Sequence, residues 1–220
     1  QDAPIVMEGD QPFTQWFDPS QKERWIRWRR YRQYLLEDPG RSWAFDSVAA
    51  LDASSDEIVR RLGNPVAREP FDRRGLVVGM VQSGKTASYT ALLAKALDAG
   101  YRVAIVLTGI HNSLRHQTQV RLDEELLGVG TDLESGKRER VGVGRLEGEH
   151  PPTNYLTGRG ENGDFSVAVA RRVGFHIGET PLLLVVKKNV TVLEHLINYL
   201  RSLPQSVAGA DGIRQLVNVP

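Results

Sequence analysis

Residues Gly79 to Thr86 read GMVQSGKT: two glycines with four residues between them, then a lysine and a threonine. Glycines at that spacing let the chain turn tightly enough for its backbone N–H groups to converge, which side chains with a Cβ would obstruct. Apolar Leu76-Val77-Val78 comes before the segment and an Ala-rich stretch from Lys85 through Ala99 follows, with Gly100 placed to cap it. The reading is strand, loop, helix, with the positive end of the helix directed at the turn. Such a turn cradles phosphate oxygens. Gly79, Gln82, Ser83 and Gly84 would wrap them, Lys85 would reach the β- and γ-phosphates, and Thr86 would offer its hydroxyl to Mg²⁺. ATP and Mg²⁺ are therefore the expected cofactors, Lys85 and Thr86 the catalytic pair, and Thr86 the metal contact. Tyr89, one turn into the helix, reads either as core packing or as a base-stacking platform.

The elements around this loop alternate. Arg102 to Thr108 (RVAIVLT) is a buried-type strand, and a helix is expected from Asn112 to Leu127, ended by Gly128. Residues 129 to 164 are glycine-rich and lack periodicity, reading as a long loop or insertion with a candidate strand at Arg140 to Leu146. Phe165 to Arg172 reads as helix, Leu182 to Lys187 (LLLVVK) as a third buried strand, and Val192 to Leu200 as an amphipathic helix ended by Pro204. The fold class expected for residues 71 to 220 is α/β: a parallel sheet with helices on both faces and right-handed crossovers. Residues 1 to 70 read as a small helical segment. Its first helix follows the capping-box pattern Ser20 to Glu23 and stops at Asp38-Pro39-Gly40; its second starts at Ser55 and stops at Gly63-Asn64-Pro65.

A second polar segment, Thr108 to Gln119 (TGIHNSLRHQTQ), lies where a strand hands over to a helix, at the carboxyl edge of the expected sheet. Ligands of open α/β sheets bind at that edge. Thr108, His111, Asn112, Arg115 and Gln117 are candidates to hold a nucleic-acid backbone, with Lys187 and Lys188 closing the third strand on the same edge. An ordinary helix cap with solvated polar residues is the competing reading. His111 and His116 have no ligand-spaced carboxylate or cysteine, so they do not predict a metal site. The stretch Arg24 to Arg32 interleaves five arginines with Trp25, Trp28 and Tyr31. It reads as a nucleic-acid surface or as an aromatic stripe packed against the sheet domain.

With 28 Lys and Arg against 27 Asp and Glu, the net charge is +1, so any nucleic-acid surface must come from local clustering. The absence of cysteine excludes disulfides and thiolate metal sites and fits an expected cytoplasmic location. No apolar run is long enough for a membrane span. The first residue is not Met, and an apolar run begins at Leu216, so the chain reads as a piece of a longer polypeptide. No strand before that run ends in the Asp-Glu pair that would hold Mg²⁺ and orient water for hydrolysis, so the domain is expected to be truncated before its acidic strand motif.

The segments Gly75 to Gly79, VQSGKT, Asp98 to Gly128 and Leu182 to Leu196 together resemble the Z-one domain family, often labelled a candidate endonuclease. The resemblance covers roughly residues 42 to 220, and GIHNSLRHQTQ is its most specific part. It implies a RecA-like P-loop NTPase fold of the superfamily-two helicase motor type, found in bacterial restriction-type anti-phage defence loci beside a GHKL-type ATPase and other defence-system subunits. Carried over by residue, Gly79, Gln82, Ser83, Gly84, Lys85 and Thr86 match the nucleotide motif, and Thr108 to Gln119 match the element that tracks a nucleic-acid backbone. The implied function is an ATP-binding, helicase-like hydrolase module acting on DNA. The alternatives are a nucleotide-gated DNA-binding subunit of an endonuclease complex without hydrolysis of its own, and a P-loop small-molecule kinase with Lys137 to Arg140 as a faint lid.

Overall fold

The computed structural model describes residues 15–67, 71–77, 85–133, 137–174 and 178–203, together with the backbone of 5–9 and 217–218. The chain divides into two compact units, Gln1–Gly100 and Tyr101–Pro220.

In the first unit, helices α1 (Ile26–Glu37), α2 (Phe45–Arg61) and α3 (Lys85–Ala99) pack on one another. Their core includes Trp28, Tyr31 and Leu35 of α1, Val48, Leu51 and Val59 of α2, and Ala91, Ala94 and Leu97 of α3. The aromatic stripe of the arginine-rich helix is thus core of its own unit, with the Trp28 and Tyr31 rings 6.2 Å apart. The expected first helix is broken. Asp18 caps a 3₁₀ turn over Pro19–Arg24, and extended Trp25, buried against Phe17, separates that turn from α1.

Helix α2 begins a full ten residues before the Ser55 that was expected to cap it. Ser55 is buried, and its hydroxyl donates to the Leu51 carbonyl at 2.6 Å, one turn back. A hydroxyl satisfied inside its own helix does not act as a cap, which is why the cap-type residue misplaced the start.

Strands β1 (Ile5–Gly9) and β2 (Arg73–Val77) form a separate two-stranded antiparallel sheet, pairing Ile5 with Val77 and Glu8 with Arg74. The strand before the phosphate loop was expected in the parallel sheet; here it lies in this ribbon, with Leu76 and Val77 exposed. Arg73-Arg74-Gly75 supplies none of the continuous apolar run that a strand buried on both faces requires.

The second unit holds a parallel sheet in the order β4-β5-β3-β6: β3 (Val103–Thr108), β4 (Asn154–Tyr155), β5 (Leu182–Lys187) and β6 (Val217–Asn218). Register runs from Val103 opposite Leu182 to Thr108 opposite Lys187. A parallel pair needs a crossover, supplied here by α4 (Asn112–Leu122) and the glycine-rich segment after it. One face of the sheet packs on α5 (Val167–Val173) and α6 (Val190–Ser202), through Ile105, Leu184 and Val186 against Phe165, Ala170, Leu196 and Tyr199. The alternate residues Ala104, Val106, Leu183 and Val185 are buried as well.

The expected helix Asn112 to Leu127 changes pitch: α4 ends at Leu122 and a wider π turn covers Asp123–Leu127 before left-handed Gly128 ends it. The candidate strand at Arg140 to Leu146 is a 3₁₀ turn over Gly142–Arg145, with only Arg140 bridging to Val129. Gly142, at φ +45°, presses on the Glu124 backbone, and Gly144 presses on that of Gly128, so neither position has room for a Cβ. Among the described residues, no helix is long and apolar enough to cross a membrane.

Candidate functional site

The end of β2 at Val77 and the start of α3 at Lys85 bracket the phosphate-loop segment. Gly79, Gln82, Ser83 and Gly84 lie outside the described residues, as does the Lys85 side chain; Thr86 is half-buried at the second position of α3. The first N–H groups of a helix have no partner within it and carry its positive end, so Lys85 and Thr86 stand where an anion is favoured.

Toward its other end, α3 is held by buried charges. Lys95 is fully buried, and its ammonium donates to the Asp52 carbonyl at 2.8 Å, the Asp52 carboxylate at 2.6 Å and the Asp56 carboxylate at 2.5 Å. Those contacts satisfy all three ammonium protons. The ammonium also stands 4.3 Å from the Trp28 ring centroid. Lys22 reaches the same two carboxylates from the other side at 2.6 and 2.7 Å, so two cations alternate with two anions. Asp98 accepts the Trp28 N–H at 3.0 Å and an Arg27 N–H at 3.2 Å. Helix α1 has no side-chain cap of its own at Trp25, so a carboxylate on α3 caps it from outside.

Burial pushes the Asp52 carboxyl up, but hydrogen bonds from Lys22 and Lys95 outweigh that and hold it below its ordinary value of 3.8. A carboxyl depressed on folding stabilises fully above its unfolded value and loses that contribution as the pH falls through the folded one. The contribution of Asp52 to the first unit is therefore expected to be lost below about pH 4, while Asp98, which burial raises, acts in the opposite sense. All four tryptophans lie in this unit, so their fluorescence reports it in the intact chain. Asp52→Asn should flatten the acid limb; an acid limb unchanged in that variant would contradict the assignment.

In the second unit, the carboxyl ends of β3 and β5 meet the start of α4. Lys187 donates to the Asn112 side-chain oxygen at 2.7 Å and stands 3.6 Å from the Asp164 carboxylate. The Lys188 N–H donates to the Thr108 carbonyl at 3.1 Å, and Asn189 caps α6 through the Val192 N–H. Thr108, Asn112, Lys187 and Lys188 are thus brought together, with His111 exposed at the N-cap of α4 and Gln117 exposed in its second turn. Thr108 is buried, and its hydroxyl lies 3.2 Å from the Gly109 carbonyl and 3.4 Å from that of Val186. Asp164 tempers the charge that Lys187 presents.

Arg115 departs from its expected place on the nucleic-acid surface. It is 1% exposed, and its guanidinium donates to the carbonyls of Gly158 at 2.8 Å, Gly160 at 2.9 Å and Gly163 at 3.3 Å. It folds the glycine-rich loop onto α4, and no face of it is left for a ligand. Gln119 and Asp123 extend this inward side. Gln119 donates to Asp123 at 2.9 Å and accepts the Thr157 hydroxyl at 2.9 Å. Asp123 also accepts the Thr131 N–H and an Arg159 N–H, both at 2.8 Å. Burial raises the Asp123 carboxyl above its ordinary value, against those hydrogen bonds. Arg115 and Gln119 of the polar TGIHNSLRHQTQ segment therefore hold the crossover together.

The residues that sequence patterning missed are Lys95, Asp98, Asp52 and Asp56. Their signal was a lysine and an aspartate inside ALLAKALDA, an otherwise apolar helical stretch, where an unpaired charge could not be buried. Among the described residues, no group of three or more His, Cys, Asp or Glu is placed to hold a metal ion. No protein-family model matches the chain, and no curated protein or solved structure matches it significantly.

Proposed function

We propose that the chain is the nucleotide-binding part of a helicase-like, RecA-type P-loop ATPase that acts on DNA within a restriction-type defence system. The observation that carries this reading is the GMVQSGKT segment with α3 opening on Lys85. Lys85 would neutralise phosphate oxygens, and Thr86 would hold Mg²⁺, which when bound offsets charge on the phosphates. The all-parallel order β4-β5-β3-β6 is compatible with such a motor domain. At its carboxyl edge, Asn112, His111, Gln117, Lys187 and Lys188 supply donors suited to a DNA backbone. A GHKL-type ATPase as partner belongs to the same reading by family resemblance.

The test is ATP hydrolysis by the full-length protein with and without DNA. Lys85→Ala is expected to lower DNA-stimulated turnover by about 100-fold or more, the scale of losing one charge-stabilising donor. Unchanged turnover in that variant would refute the role of Lys85. ATP binding with no hydrolysis under any DNA condition would favour the gated binding subunit, and a phosphorylated sugar or nucleoside would favour a kinase.

A further inference from the structure

We infer that the N-terminal helices are the support that sets the position of the phosphate-loop helix, with Lys95 and Asp98 as positioning residues for nucleotide binding. The inference rests on the P-loop reading of Lys85 and Thr86. Helix α3 starts on those two residues and carries Lys95 and Asp98 on its last turns. At ~1.5 Å per residue, Lys95 is roughly 15 Å along the same rigid helix from Lys85. Rotation or sliding of α3 at one end is therefore transmitted to the other.

The contacts on α3 fix both of those motions. Sliding by one residue, or turning by the ~100° that separates neighbours on a helix, would take the fully buried Lys95 ammonium away from Asp52 and Asp56 and leave it unpaired, while Lys22 keeps the two carboxylates where they are. An apolar residue at position 95 would hold the bundle together without fixing this setting, since apolar packing is non-directional. Asp98 adds a second fixed point, because its carboxylate must meet the first turn of α1 to cap it. Charges are costly to bury, and in some proteins a buried polar or charged group fixes register at the expense of stability. Here the register they fix is that of the helix that begins with the phosphate lysine.

The experiment measures the affinity of the full-length protein for a fluorescent ADP analogue in Lys95→Met, Asp98→Ala and Asp98→Asn, well below each variant's unfolding temperature. Lys95→Met and Asp98→Ala are expected to weaken binding by about tenfold while remaining folded. Asp98→Asn, which still offers an oxygen to the Trp28 N–H, is expected to recover most of that loss. Should Lys95→Met not fold, the Asp98 pair decides by itself, since its cap is exchanged without emptying the core. Binding that Lys85→Ala abolishes but that folded Lys95→Met and Asp98→Ala leave unchanged would overturn the inference alone. Wild-type protein that binds no nucleotide would overturn it together with the P-loop reading.

Discussion

Replacing Arg115 with alanine is expected to release the 157–165 loop and destabilise the second unit by about 2 to 4 kcal/mol. The reason lies in the acceptors left behind. The carbonyls of Gly158, Gly160 and Gly163 converge on one guanidinium; without it the Gly163 carbonyl keeps the Gly158 N–H and the Gly160 carbonyl keeps the Gly163 N–H, while the buried Gly158 carbonyl loses its charged donor. One stranded buried carbonyl costs on the order of 1 to 3 kcal/mol, and the space left by the buried side chain adds to it. Arg115→Lys should recover little, because a point ammonium on a shorter donor set cannot span the fork of acceptors. Hydrogen exchange of the intact chain reads the effect locally: amides such as Gly163 N–H, bonded to the Gly160 carbonyl, should lose protection by several orders of magnitude. A loss under about 1 kcal/mol would mean that the loop holds itself without Arg115.

Lys95→Ala should have a comparable effect in the first unit, about 3 to 5 kcal/mol, the usual scale for removing one partner of a buried ion pair. The value sits at the lower end because Lys22 still faces both carboxylates and the Asp52 side chain keeps 27% of its exposure. Lys95→Met keeps most of the packing against Trp28 and should be clearly milder than alanine. Urea unfolding followed by tryptophan fluorescence checks both, since every tryptophan belongs to this unit. Equal stability of wild type and Lys95→Ala would show the four-charge cluster to be neutral overall.

Elements with a long, uniform pattern were legible in the sequence. Leu182 to Lys187 and Val103 to Thr108 are apolar at nearly every position, and they form the paired centre of the parallel sheet. Gly100 and Gly128 end their helices with positive φ, as glycine after an apolar helix suggests. Ser55 misled because a capping residue type can satisfy its hydroxyl within a helix. The strand before the phosphate loop was read correctly as a strand, but its partner could not be, because pairing depends on residues distant in sequence. Arg115 and Gln119 belong to the segment expected to face nucleic acid, yet with Asp123 they form a buried network. At positions 115, 119 and 123 they recur at helical spacing on one face, a polar stripe that the glycine-rich segment then covers. Their partners lie up to 48 residues away, beyond the reach of any local pattern.

In the function proposed above, the GMVQSGKT turn and Lys85 form a triphosphate site. Equilibrium titration of the full-length protein with MgATP, against Lys85→Ala in parallel, tests it most directly. Saturable one-site binding, competed by pyrophosphate, is expected in the wild type and falls beyond detection in the variant. Absence of saturable binding in the wild type, or equal binding in both proteins, would contradict it.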